Sequence, residues 1–235
     1  MPKMKQSGSE QLLPAQSDAR LSRRRFLGYT GAAAAVVLGV AACSKDDTPG
    51  SSNGNGINLG SGDIGILNYA YALEQLEAAF YTQVLMAPYS GGSVAEMALM
   101  ADIRDHEIAH REFFKNALGS NAIQSLEVDF SGINFSSRTS VLTAARTFED
   151  LGVQAYNGAG KLIVNPAYLT LAGKIVSVEA RHAAWIRDVI SNGSFADSSV
   201  VDSNGLDMSK MPSEVLIAAN GFLKTKVSGV NLPTT

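Results

Sequence analysis

From Asp63 to Ser191 apolar side chains return at three- and four-residue intervals in four separate runs, each bounded by helix start and stop signals. Asp63 can cap a first helix running to about Met86, which Pro88 and Gly91-Gly92 end. Ser93, with Glu96 three residues on, is a capping-box signature for a second helix to about Leu118, and Gly119 sits where a C-terminal cap is expected. A third helix runs from about Arg138 to Gly158. Asn165-Pro166 opens a fourth, which runs to about Ser191. Residues 119–137 are left as a long crossover with strand-like alternation in Leu126-Glu127-Val128-Asp129-Phe130. Residues 193–211 read as loop, and a short helix near Ser213–Leu223 closes the chain. The pattern predicts an all-α, four-helix bundle with a long crossover between helices two and three and a short C-terminal helix.

The apolar seams carry an anomaly. At 3,4 spacing they read Ala70, Leu73, Glu77, Phe80, Val84; Ile103, Glu107, His110, Phe114; Leu142, Ala145, Glu149, Gly152, Tyr156; and Ala172, Ile175, Glu179, His182, Ile186. Each has a glutamate near its middle, and two have a histidine three residues later. Burying four unpaired carboxylates is prohibitively costly, and a divalent metal pair removes the cost. Each Glu-x-x-His sets two ligands on one face, about 4.5 Å apart along the axis and roughly 60° apart around it. Glu77, Glu107, His110, Glu149, Glu179 and His182 are thus the inward set of a carboxylate bundle holding two iron or two manganese ions.

Other readings share these residues. Glu74 competes with Glu77; the apolar heptad around Glu77 favours Glu77, leaving Glu74 to hydrogen-bond a ligand histidine. His106-Glu107-Ile108-Ala109-His110 also spells the zinc-protease motif, in which both histidines bind zinc and Glu107 is the base. In the dinuclear reading His106 supports the ligands from behind or lies on the helix surface. Tyr81, Tyr156 and Trp185 read first as core, with Tyr156 also a candidate neighbour of the ligands. A metal-free bundle acting as an envelope or stress scaffold is the remaining alternative.

The stretches Leu73-Glu74-x-Leu76-Glu77-Ala78-Ala79-Phe80-Tyr81, His106-Glu107-x-x-His110, Phe148-Glu149-Asp150-x-Gly152-x-x-Ala155-Tyr156 and Val178-Glu179-Ala180-Arg181-His182-Ala183-Ala184 resemble the ferritin-like family. They look like a bacterial exported branch that is similar to plant desiccation-related proteins. The resemblance implies the bundle and its Glu, Glu-x-x-His, Glu, Glu-x-x-His ligand pattern. It leaves the activity open, since relatives store iron, oxidise it, destroy peroxide or have no known role. A ferroxidase, peroxidase or catalase-like oxidoreductase using a small-molecule oxidant is the enzymatic expectation.

Composition changes the picture at the N-terminus. Of 235 residues, 46% are hydrophobic and 17% charged, enough for one domain with a core. The formal charge of -3 gives no footprint of a nucleic-acid binder. It hides an asymmetry: residues 1–42 hold six Lys/Arg and two acids, whereas the remainder holds 13 basic and 20 acidic residues. A single cysteine, Cys43, excludes a disulfide framework and a cysteine zinc knuckle within the chain. Ser22-Arg23-Arg24-Arg25-Phe26-Leu27 before the apolar run Tyr29–Ala42 resembles a twin-arginine export signal. Val40-Ala41-Ala42-Cys43 resembles a lipobox, and Ser44-Lys45-Asp46-Asp47 is similar to a lipoprotein surface-export signal. The expected organisation is a signal peptide over 1–42, a flexible tether over 43–62, the bundle over 63–191 and a C-terminal extension over 192–235. The protein is expected to sit in a bacterial cell envelope, anchored to membrane through lipidated Cys43 at the outer membrane or cell surface.

Overall fold

Four long helices form where the apolar periodicity puts them: α1 (Gly62–Met86), α2 (Val94–Leu118), α3 (Arg138–Gly160) and α4 (Pro166–Ile190). The structure is a computed structural model and describes residues 56–235; the expected signal peptide, Cys43 and most of the tether lie outside the described residues. α1 packs along α2 and α3 along α4, and residues 119–137 cross between the two pairs. Among the described residues no helix is long and apolar enough to cross a membrane.

Most caps follow the sequence signals. Ser93 accepts from the Glu96 N–H, Ser137 from that of Ser140, and Asn165 from that of Ala167, with Pro166 in the first turn of α4. α1 differs from expectation. Ser61 is its N-cap, and Asp63 lies in the first turn. The Asp63 carboxylate instead accepts from the backbone N–H groups of Val164 and Asn165, both at 2.8 Å. Two adjacent amides outside the helix offer a charged acceptor a better geometry than its own first turn, and they tie the start of α1 to the start of α4.

α1 buries seventeen of its 25 residues, because it is covered on both sides. One side meets the bundle. The other is covered by the crossover and the C-terminal extension through polar side chains that satisfy loop backbone. Asn68 donates to the carbonyls of Leu59 and Asn121 and accepts from Ile123 N–H, while Gln75 accepts from Leu126 N–H. The alternating run at 126–130 pairs with the C-terminal segment through Asp129 N–H to Phe222 O and Lys224 N–H to Glu127 O, each 2.8 Å. That segment comprises α5 (Pro212–Ala219) and a 3₁₀ turn at Asn220–Phe222. Strand β1 (Ile57–Asn58) pairs in parallel with β2 (Val227–Ser228), and Leu59 is wholly buried. The last residues of the expected tether are therefore folded onto the extension. Gly56, at φ 105, permits the crossing: a Cβ there would lie 2.5 Å from Lys226 O.

The bundle ends are fixed differently. Arg138 at the start of α3 forms a two-point pair with Glu96 at the start of α2, at 2.8 and 2.9 Å, and Tyr89 donates to the same carboxylate at 2.5 Å. Phe80 packs edge-on against Tyr81 and Phe148, with ring centroids 5.0 Å apart in both cases, directly beside the seam glutamates.

Candidate metal centre

The seam glutamates converge at mid-bundle. Glu74, Glu107, Glu149 and Glu179 are fully buried, and His182 is nearly so. They form two four-residue groups, Glu74–Glu107–His110–Glu179 and Glu107–Glu149–Glu179–His182, whose candidate ligand atoms lie within 4.8 Å of one another. In the first, His110 Nδ1 is 2.9 Å from Glu179 Oε1, 3.4 Å from Glu74 Oε2 and 3.5 Å from Glu107 Oε2. In the second, His182 Nδ1 is 2.8 Å from Glu107 Oε1, 3.4 Å from Glu149 Oε2 and 3.8 Å from Glu179 Oε2. Glu107 and Glu179 thus offer one oxygen to each group and join them.

These approaches reach ion-pair distance without hydrogen-bond geometry. On these six residues eight buried atoms remain without a hydrogen-bond partner: Glu74 Oε2, Glu149 Oε2, both oxygens of Glu107 and of Glu179, and Nδ1 of His110 and His182. Orphaned buried atoms are rare in native proteins, and here all eight face one space. A cation placed among them could satisfy these atoms together.

The electrostatics agree. Burial, then the neighbouring Glu179 charge, raises Glu74 and drives Glu107 well above the usual carboxylate range. Burial raises Glu149 too. It also opposes ionisation of Glu179, but His110 and His182 overcome it and hold that carboxyl below its usual range. Burial disfavours charge on the imidazoles, yet the surrounding carboxylates push both up to about 12. Without metal, two imidazolium ions supply part of the positive charge the site demands.

Two tyrosines aim the outer glutamates. Tyr81 of α1 donates to Glu149 Oε1 of α3 at 2.5 Å, and Tyr156 of α3 donates to Glu74 Oε1 of α1. Each bond occupies one oxygen and leaves Oε2 facing inward. His106 Nδ1 lies 2.9 Å from His182 Nε2, with the rings stacked at 8°, which steadies His182 from behind. His106 belongs to neither metal-capable group. The His106–His110 pairing of the zinc-protease reading is therefore not assembled.

Of the six residues chosen from the seams, the structure brings together Glu107, His110, Glu149, Glu179 and His182. On α1 it is Glu74, and not Glu77, that joins one of these groups. Apolar neighbours do not discriminate on a helix buried all round, and Glu74 and Glu77 are both buried. What selects Glu74 is Tyr156, a contact across the bundle. Tyr156 contacts Glu74, and His106 contacts His182. Tyr81, expected in the core, also reaches the site; the sequence signal for it is a repeat, Glu74 to Tyr81 and Glu149 to Tyr156, each seven residues.

Four carboxylates and two imidazoles from four helix seams form a candidate carboxylate–imidazole metal site, and their chemistry fits divalent ions. The chain matches the ferritin-like domain family over residues 62–192, more than half its length, and belongs to that family. No curated protein matches the chain.

Proposed function

We propose that this is an exported, lipid-anchored ferritin-like protein whose dinuclear iron or manganese centre carries out oxygen or peroxide chemistry, or iron oxidation, in stress protection. The observation that carries the metal reading is the set of eight unpartnered buried atoms in two groups sharing Glu107 and Glu179. Bound iron or manganese would supply cycling between oxidation states. The chain supplies the rest. Glu107 and Glu179, each with an oxygen in both groups, would serve both positions, His110 and His182 would each hold one, and Tyr156 and Tyr81 fix Glu74 and Glu149 with one oxygen inward.

Leu67, Tyr69, Leu73, Phe114, Tyr156 and Tyr168 contribute to an apolar cavity of about 20 Å³, room for about one water-sized molecule. Tyr156 both lines this cavity and donates its hydroxyl to Glu74.

Elemental analysis of the purified protein tests the centre. The expected result is two iron or manganese ions per chain, kept in His106→Ala and reduced in His110→Ala and His182→Ala. No metal in the wild type would leave the scaffold reading, and a single zinc lost on His106→Ala would leave the protease. The anchor is tested separately. Cys43→Ser should abolish lipid labelling, and Arg23→Lys with Arg24→Lys should block export. Normal membrane attachment or export in these variants would refute the corresponding step.

A further inference from the structure

We propose that the cleft between α3, α4 and the loop over residues 195–207 binds a small aliphatic primary amine in its ammonium form. The cleft is separate from the candidate metal centre, since none of its lining residues belongs to either metal-capable group.

Small side chains leave the room. α4 lines the cleft with Ala180, Ala183 and Ala184, and α3 lines it with Val153. The loop faces them with Ala196, Val200 and Val201, and about 200 Å³ stays open between the two sides. Pockets for drug-sized ligands run from roughly 300 to 1,000 Å³, so this one suits a molecule of only a few carbons.

Arg187 holds the walls together. It is 7% exposed, and its guanidinium donates to Asp150 Oδ2 at 2.6 Å, Asp197 Oδ1 at 3.0 Å, the Ser194 carbonyl at 3.1 Å and the Ser199 hydroxyl. Those four bonds pin the loop to α3 and α4 and use most of the donors an arginine has. The one cation lining the cleft is thereby divided between two carboxylates. Two acceptors are left over. Asp150 Oδ1 is buried without a hydrogen-bond partner. Asp207, exposed at the rim, makes no ion pair among the described residues, and it lies close enough to Asp150 for the two charges to repel. Arg146 offsets part of the charge on Asp150 but does not line the cleft.

Open carboxylate oxygens beside an apolar wall call for a donor that carries positive charge on an apolar body. A primary ammonium brings three N–H groups, whereas a quaternary ammonium brings none. A bare divalent ion fits poorly. It takes about six or more oxygen ligands, and here it would meet alanines, valines and the Arg187 guanidinium instead. Phe195, 57% exposed at the rim, adds an aromatic face against which a cation or its alkyl chain can rest.

Titration of the purified protein with isobutylammonium, followed by amide NMR shifts, tests the proposal. Isobutanol is the control of the same shape without charge, and tetramethylammonium the control with charge but no N–H. Isobutylammonium should saturate shifts in residues 195–207 and bind about tenfold or more tighter than either control. Asp207→Asn should weaken it about tenfold or more, and Ala184→Leu, which fills the cleft, should abolish it. Asp207 is exposed, so its variant is expected to fold as the wild type does and carries the test even where Ala184→Leu does not fold. No saturable binding, equal affinity for isobutylammonium and isobutanol, or an unchanged affinity in Asp207→Asn would overturn the proposal. Calcium(II) binding in the cleft more tightly than isobutylammonium would overturn it too. The result should be the same with and without bound iron or manganese, so it stands or falls apart from the metal reading.

Discussion

Stripping the metals should lower the melting temperature without unfolding the bundle. The structure holds two metal-capable groups. An ion that binds only the native state at a hundredfold excess over its Kd contributes about 2.7 kcal/mol, so two contribute roughly 5 kcal/mol. For a folded body of roughly 180 residues, each kcal/mol moves the melting temperature by about 2–4 °C, giving a fall of roughly 10–20 °C. Complete loss of structure is not expected. In the metal-free state His110 and His182 hold protons, pushed up to about 12 by the carboxylates around them, and replace part of the missing charge. The assay is differential scanning calorimetry of metal-loaded protein, of protein after chelation with metal content verified, and of protein after metal is restored. Unchanged melting after verified removal would refute the reasoning, because the eight orphaned atoms would then be tolerated without a cation.

The same groups set a pH dependence of opposite sign in the two states. In the metal-free protein the native state holds more protons than the unfolded chain, on histidines and glutamates whose affinities are raised. Its melting temperature should therefore rise as pH falls from 8 to 6, while metal affinity drops as protons compete for the ligands; calorimetry at fixed ionic strength checks both. Arg187→Ala should cost about 3–5 kcal/mol in urea unfolding, because this buried guanidinium joins Asp150 at 2.6 Å to Asp197 and to the Ser194 carbonyl, and its loss strands Asp150. Gly158→Ala should destabilise by about 1–3 kcal/mol or more, since a Cβ there would stand 1.7 Å from Lys210 O and must displace the loop before α5. Tyr156→Phe should weaken metal binding at the Glu74 side, read by titration, by releasing the oxygen that Tyr156 holds.

The sequence by itself determined the four helices and most of the centre. Helical spacing forces residues three and four apart onto one face, so Glu107 with His110 and Glu179 with His182 could not avoid facing inward together once their seams were apolar. Ser93, Gly119 and Asn165-Pro166 marked boundaries because capping is a contact between residues close in the chain. Tertiary structure decided what local periodicity cannot encode. On α1, buried on both sides, Glu74 and Glu77 look alike from within the helix, and only Tyr156 and Gly152 on α3 separate them. Asp63 left its capping role for amides a hundred residues away. The tether's last residues found a strand partner near the far end of the chain. Each is a pairing between segments distant in sequence, fixed by which surfaces the bundle brings into contact.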